Sequence, residues 1–131
     1  MWKYKDYSFI SALEKLENLF LKCSNISDIS FLETNKNFKT LNLDNCENIK
    51  DYSIISTLEK LENLFLKCSN ISDISFFEKN KNIKTLDLRE CKNIKDYSFI
   101  SNLEILENLG LSYFDISDIS FLEKNKNIKL L

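Results

Sequence analysis

The chain of 131 residues contains no histidine, no proline and one glycine, Gly110. Without histidine, a serine or cysteine nucleophile lacks its usual general base. A single glycine cannot form the glycine-rich loop that cradles a phosphate group. The sequence therefore predicts neither an enzyme nor a bound cofactor.

Long apolar runs and strong charge are also missing. No run of 18 apolar residues is present, so no membrane-spanning helix is predicted. Residues 1–7 lack the apolar segment of a signal peptide. The net charge of −2 gives no electrostatic basis for binding nucleic acid or an anionic membrane. We therefore expect neither of them as a partner.

The sequence is instead built from tandem units of 22 and 23 residues. Each unit opens with the pattern L-x-x-L-x-L, as at Leu16, Leu19 and Leu21. The units begin at Leu16, Phe38, Leu61, Ile83 and Leu106, with a last start at Ile128. Units of this kind stack and bury a shared core. We predict one domain over 1–131, with a partial repeat at 1–15, five repeats over 16–127 and the start of a further strand at 128–131.

Each unit divides into two halves with different structures. Alternating apolar residues around the last two leucines of the opening pattern predict a strand whose intervening side chains point outward. The second half, such as residues 26–32, is too short for a long helix. Its aspartate and serine residues favour turns, so a short 3₁₀ turn is predicted there.

These units resemble the leucine-rich repeat family. Those of 22 residues, with Asn25 and Ile26 after the strand, look like the short subclass of internalins, and those of 23 residues look like the cysteine-containing subclass. The resemblance implies an α/β leucine-rich repeat solenoid of about five and a half repeats. A parallel sheet would line the concave face, with 3₁₀ turns and loops on the convex face. In this family the concave face commonly binds protein. The usual ladder asparagine is replaced here by Ser24, Cys46, Ser69, Cys91 and Phe114.

The four cysteines do not predict a disulfide framework or a zinc site. Cys46 and Cys91 fall at the inward ladder position, whereas Cys23 and Cys68 fall one residue earlier and face outward. Like members lie two strands apart, beyond disulfide reach, and no C-x-x-C pair is present. Free thiols suit a reducing compartment. We therefore predict a cytoplasmic location and no metal.

The internal copies differ mainly at outward positions. Residues 13–57 and 58–102 differ at nine of 45 positions, among them Asn42/Asp87, Asp44/Arg89 and Asn45/Glu90. The third copy replaces Phe65, Lys67 and Cys68 with Gly110, Ser112 and Tyr113. Because glycine has no side chain, Gly110 is predicted to leave a notch in the surface where the earlier copies have a phenylalanine ring. Residues 78–82, expected to be exposed on the convex face, recur unchanged at 123–127. Either exposed positions drift freely, or the concave face was altered for binding.

The predicted partner-binding surface combines aromatic anchors with residues that set polar and charge complementarity. The anchors are Phe20, Phe65 and Tyr113. The others are Lys22, Asn42, Asp44, Lys67, Asp87, Arg89 and Glu90. The two phenylalanine rings have an alternative role, which is to cover the aliphatic stems of neighbouring side chains.

One outward column is predicted to be structural. It consists of Glu17, Lys39, Glu62, Lys84, Glu107 and Lys129. Because the signs alternate and neighbouring strands lie about 4.8 Å apart, each charge should lie between two opposite ones.

The predicted function is non-catalytic protein–protein interaction, with a partner of unknown identity bound on the concave face. One alternative is an intracellular inhibitor or immunity-type protein. Another is a self-assembling structural repeat module, which forms a homo-oligomer through terminal strand edges. Met1, Trp2 and Tyr4 would prevent that assembly if they cover the first edge.

Overall fold

A computed structural model describes residues 7–22, 25–112 and 118–131. The predictions made for Met1, Trp2, Tyr4, Cys23 and Tyr113 lie outside these ranges. Within them the chain forms one parallel sheet of six strands, ordered along the sheet as they occur in the chain. The strands are β1 (Asn18–Phe20), β2 (Thr40–Asn42), β3 (Asn63–Phe65), β4 (Thr85–Asp87), β5 (Asn108–Gly110) and β6 (Lys129–Leu130).

The repeat sets the register of the sheet. In the first five strands the central leucines pair directly, and all five are buried: Leu19, Leu41, Leu64, Leu86 and Leu109. Beyond them, Leu130 of β6 pairs with Leu109. From β1 to β5, equivalent residues of successive units therefore form continuous ladders, as the stacking of repeats requires.

Short 3₁₀ turns occupy the second half of the units. They span Ser8–Ala12, Ser30–Thr34, Ser53–Thr57, Ser75–Glu78, Ser98–Asn102 and Ser120–Leu122. The described ranges contain no α-helix. The predicted strands and 3₁₀ turns are therefore confirmed. The turns carry Ile, Leu and Phe side chains inward, against the leucine ladder of the sheet.

An aspartate fixes the start of five of these turns. In each case its Oδ1 accepts a hydrogen bond from the backbone N–H of the serine two residues later, at 2.8–2.9 Å. The five residues are Asp28, Asp51, Asp73, Asp96 and Asp118. At Asp51 the serine hydroxyl also donates to the same oxygen, at 2.6 Å. At each turn the aspartate therefore acts as a capping residue does at the start of a helix, because its side chain accepts a hydrogen bond from a backbone N–H.

These carboxylates make the stability sensitive to acid. Hydrogen bonds from the serine lower the pKa of each below 3.8, with the hydroxyl contributing most at Asp51 and the backbone N–H contributing most at Asp28. A pKa lowered by folding contributes stability above the unfolded value and loses it as the pH falls through the folded one. We expect urea unfolding to show a nearly constant free energy between about pH 7 and pH 5 and a fall below about pH 4.

A variant with all five aspartates changed to asparagine provides the control. Asparagine keeps the oxygen acceptor and removes the titration, so the decrease in stability below about pH 4 should be smaller. An unchanged pH profile in this variant would show that other groups cause the acid sensitivity.

Three buried asparagines link neighbouring units on the turn side. The side-chain amide of Asn80 donates to the carbonyl oxygens of Ile55 and Leu58, at 3.0 and 3.2 Å. Asn35 and Asn125 make the bond that is equivalent to the one with Leu58, to the carbonyl oxygens of Leu13 and Leu103. The expectation that residues 78–82 are exposed is therefore wrong at Asn80, which is fully buried. The hydrogen bonds of Asn80 require an asparagine at this position. The recurrence of Asn80 therefore has a structural cause, and the unchanged stretch does not measure how freely exposed residues change between copies.

The charge column forms separate ion pairs rather than a continuous ladder. Lys39 Nζ lies 3.4 Å from Glu17 Oε1, and Lys84 Nζ lies 3.4 Å from Glu62 Oε2. Among the described residues, no ion pair joins Lys39 to Glu62 or reaches Glu107. The prediction that each charge lies between two opposite ones is therefore wrong. Each ammonium group approaches one partner, and such solvated pairs are worth about 0–1 kcal/mol.

Candidate functional site

The outward side of the sheet, which is the predicted concave face, is called the sheet face below. Parallel sheets are usually covered on both sides. Here the turns pack on each other and the strands on each other, and no described element lies over the outward side. The sheet face presents three columns of side chains. The first column consists of Asn18, Thr40, Asn63, Thr85 and Asn108. The middle column consists of Phe20, Asn42, Phe65, Asp87 and Gly110. The third column consists of Lys22, Asp44, Lys67, Arg89 and Ser112.

The two described anchors lie in the middle column. Phe20 on β1 is 63% exposed. Phe65, on β3, is half-buried, and Asn42 lies between them on β2. The first half of the sheet face therefore presents two aromatic rings with Asn42 between them, and Lys22 is exposed beside them. The structure brings these predicted residues together on one surface.

Hydrogen bonds hold the polar residues at the strand ends. Asn42 Oδ1 accepts from the backbone N–H of Asp44 at 2.9 Å. Asp44 Oδ1 in turn accepts from the backbone N–H of Lys67 at 2.8 Å. Asp44 is thus half-buried and fixes the start of the next loop. Lys67, whose side chain is also half-buried, lies at the edge of the apolar part.

Asp87 and Arg89 form a bidentate ion pair on the sheet face. Arg89 Nε donates to Asp87 Oδ1 at 2.9 Å, and Arg89 Nη2 donates to Asp87 Oδ2 at 2.7 Å. The backbone N–H of Arg89 also donates to Oδ1, at 3.1 Å. The Asp87 side chain is 2% exposed, whereas that of Arg89 is 40% exposed. These hydrogen bonds, and then the charge of Asp87, raise the pKa of Arg89.

Gly110 makes room for that contact. A Cβ atom on Gly110 would lie 2.4 Å from Asp87 Oδ1 and 3.1 Å from Asp87 Cγ. The notch predicted at Gly110 is therefore filled by the Asp87 carboxylate. Asp87 itself presents little surface to a partner because its carboxylate turns toward β5 and bonds to Arg89.

Among the described residues, three other than glycine have left-handed backbone, and all three lie in loops after strands. Asn45, Cys68 and Glu90 have φ values of 59°, 58° and 60°. Asparagine adopts this region more readily than cysteine or glutamate, so only Asn45 could have been predicted from its residue type. Glu90 is exposed at the end of the sheet face, and its N–H donates to Ser112 Oγ at 2.6 Å.

The first column was missed by the sequence analysis. Asn63 Nδ2 donates to Thr40 Oγ1, and Asn108 Nδ2 donates to Thr85 Oγ1, each at 3.2 Å. These polar rungs border the aromatic column and belong to the same surface. The available signal was the alternation of asparagine and threonine directly before the central leucine of successive units.

The described cysteines lie where they were predicted. Cys46 and Cys91 are buried. The Sγ of Cys46 donates to the carbonyl oxygen of Leu21 and the Sγ of Cys91 donates to that of Leu66, each at 3.0 Å. Cys68 is half-exposed. Cys68 and Cys91 are free thiols. Burial raises the pKa of the Cys91 thiol, which further lowers its reactivity because the thiolate is the nucleophile.

We expect Cys68 to react with iodoacetamide faster than Cys46 and Cys91 in the native protein. The rates can be followed by mass spectrometry of the peptides that contain each cysteine. In urea, where burial is lost, the three rates should become similar. Equal native rates would contradict the inward and outward assignment.

The described ranges hold neither a candidate metal site nor a membrane-spanning helix. No group of three or more Cys, Asp or Glu residues there could hold a metal ion. No helix in the same part of the chain has the length and apolar character to cross a membrane.

Comparison with solved structures gave clear matches. An internalin (InlF) from Listeria monocytogenes matches 96% of this chain at 35% identity and a TM-score of 0.85. The functional domain of InlJ from the same organism, which includes a cysteine ladder, matches 93% at 18% identity and 0.62. The leucine-rich repeat ectodomain of a receptor kinase from Arabidopsis thaliana, solved in complex with a Casparian strip integrity factor, matches 80% at 19% identity and 0.59.

The chain spans only part of each of these structures. It covers 37% of the InlF chain, 30% of the InlJ chain and 16% of the receptor chain. Neither the family models nor the curated proteins compared with the sequence gave a match.

Proposed function

We propose, from the leucine-rich repeat fold that this chain has, that it is a non-catalytic module that binds a protein partner through its sheet face. The resemblance to leucine-rich repeat proteins, including internalins, is confirmed by the solved structures. In InlJ the fold includes a cysteine ladder, and here Cys46 and Cys91 occupy the inward ladder position.

The observation that carries the proposal is an uncovered face of a parallel sheet with an exposed aromatic ring in its middle column. Phe20 is 63% exposed there, and Phe65 lies two strands away. Exposed aromatic side chains and arginine contribute much of the energy of protein interfaces. The sheet face holds both kinds, since Arg89 follows the next strand, β4. The rings would anchor an apolar part of the partner, and the lysines and Arg89 would set its charge.

Several further features of the proposal rest on the sequence. A non-catalytic role is supported by the absence of histidine from the chain. A cytoplasmic location is supported by the free thiols of Cys68 and Cys91. An inhibitor or immunity-type protein would use the same surface against one enzyme. Self-assembly through strand edges stays a prediction, which sedimentation velocity over a range of concentrations would test.

A photo-crosslinking experiment tests the proposal. A benzophenone amino acid replaces Lys67 on the sheet face or Lys81 on the turn side, and each variant is irradiated in an extract of the source cells. We expect one protein to be crosslinked from position 67 and not from position 81. Crosslinking of the same protein from position 81 alone would place the binding surface on the opposite side.

A further inference from the structure

Three positions of the sheet face change together between the internal copies. The earlier copy has Asn42, Asp44 and Phe65. The next copy has Asp87 and Arg89 at the first two positions, followed by Gly110 at the third. In the structure the later set forms one contact, with Asp87 over Gly110 and bonded to Arg89.

Each change of the later set depends on the other two. A side chain at position 110 would occupy the space that the Asp87 carboxylate fills, since even a Cβ atom would lie 2.4 Å from Oδ1. The buried carboxylate of Asp87 requires a cationic partner, because an unpaired buried charge is strongly unfavourable. Arg89 supplies that partner. Gly110 and Asp87 together therefore determine where the guanidinium group of Arg89 lies.

The contact with Asp87 uses one edge of the guanidinium group. Asp87 accepts from Nε and from Nη2. The remaining N–H groups, on Nη1 and Nη2, have no acceptor among the described residues, and the side chain is 40% exposed. A guanidinium group carries five N–H donors in a fixed planar fork, which matches the two oxygens of a carboxylate. The outer edge of Arg89 is therefore fixed in place and open toward the sheet face.

Two other carboxylates lie near Arg89, but one already accepts a hydrogen bond from the backbone and the other lies beyond the end of the strand. Asp44, which also raises the pKa of Arg89, accepts from the backbone of Lys67. Glu90 is exposed beyond the end of β4, and its backbone N–H donates to Ser112. Recognition at Arg89 thus depends on the fork geometry rather than on a large positive field, and lysine should not reproduce it.

We infer that Arg89 binds a side-chain carboxylate of the protein partner, and that Asp87 and Gly110 are the residues that position it. This inference rests on the proposed function and names the chemistry that the second half of the sheet face recognises. The first half, around Phe20 and Phe65, would bind an apolar group of the same partner segment. The sheet face would therefore select a peptide segment in which an acidic residue follows or precedes an apolar one.

A random-peptide phage library selected on the intact protein supplies the probe. We expect enriched peptides to share an aspartate or glutamate together with an apolar residue. One such peptide and its twin, in which the acid is replaced by the matching amide, are then titrated by calorimetry. Against the unaltered protein the acid should bind about tenfold more tightly than the amide.

The ratio of the two affinities identifies the residues responsible. In Arg89→Gln the ratio should fall to about one, and Arg89→Lys should restore it only in part. The ratio should also fall in two further variants. Gly110→Ala should displace the Asp87 carboxylate and with it the guanidinium group of Arg89, and Asp87→Asn should remove the charge that holds that group in place. A purely structural role of Asp87 and Gly110 would weaken both peptides equally and leave the ratio unchanged.

The outcomes separate this inference from the proposed function. Suppose that Phe65→Ala loses binding while Arg89→Gln keeps the same ratio of acid to amide affinity. That result would overturn the inferred role of Arg89 and leave the proposed binding through the sheet face intact. Unchanged binding of both peptides in both variants would overturn both. A selection that enriches no acidic residue would also overturn the inference.

Discussion

Replacement of Leu64 by alanine is expected to lower the free energy of unfolding by about 3–5 kcal/mol. Leu64 is the central residue of β3, pairs with Leu41 and Leu86, and is fully buried. Its removal leaves a cavity that the ladder cannot close, because rigid neighbours lie on both sides in the sheet. Urea unfolding followed by circular dichroism measures the change. Since domains of this size have about 5–15 kcal/mol in total, the variant should be near its stability limit.

Leu130→Ala is the matched control. Leu130 lies on β6 opposite Leu109 but is 52% exposed. Its truncation should change the free energy of unfolding by less than about 1 kcal/mol, because little of its surface is removed from water on folding. Similar losses in the two variants would contradict a core shared by all units.

Replacement of Phe65 by alanine is expected to weaken binding of the partner about thirtyfold or more. A central aromatic anchor typically contributes about 2 kcal/mol or more to an interface, and each 1.4 kcal/mol corresponds to about tenfold in affinity. Phe65 lies in the middle of the sheet face, between Asn42 and Asp87. Calorimetry with the crosslinked partner, once purified, measures the effect.

Phe99→Ala is the control for this variant. Phe99 is also half-buried but lies in the 3₁₀ turn Ser98–Asn102, on the side away from the sheet face. Its truncation should leave the affinity unchanged while causing a similar loss of stability. Equal loss of affinity in both variants would point to a general effect of destabilisation and not to an anchor.

The repeat made most of the fold predictable. The opening pattern of each unit placed the strands, and the short irregular second half placed the 3₁₀ turns, since both depend on local periodicity and the spacing of apolar residues. Cys46 and Cys91 could be placed inward for the same reason. The aspartate that starts each turn, for example Asp73 before Ser75, also recurs at a fixed place in the unit.

Contacts between side chains of different units could not be predicted in the same way. Asp87 was interpreted as a charge facing the partner, but it is 2% exposed because Gly110, more than twenty residues later in the chain, leaves space for its carboxylate. Asn80 was interpreted as exposed within a polar stretch, but it bonds to carbonyl groups of the preceding unit. In both cases the partner comes from another repeat, and the identity of the residue alone does not reveal it.

Hydroxyl-radical footprinting of side chains, with and without the partner, tests most directly whether binding occurs on the sheet face. The oxidation of Phe20 and Phe65 is compared with that of Phe9 and Phe99, which are accessible on the turn side. We predict that the partner protects Phe20 and Phe65 and leaves Phe9 and Phe99 unchanged. Protection of Phe9 and Phe99, with Phe20 still fully oxidised in the complex, would contradict binding through the sheet face.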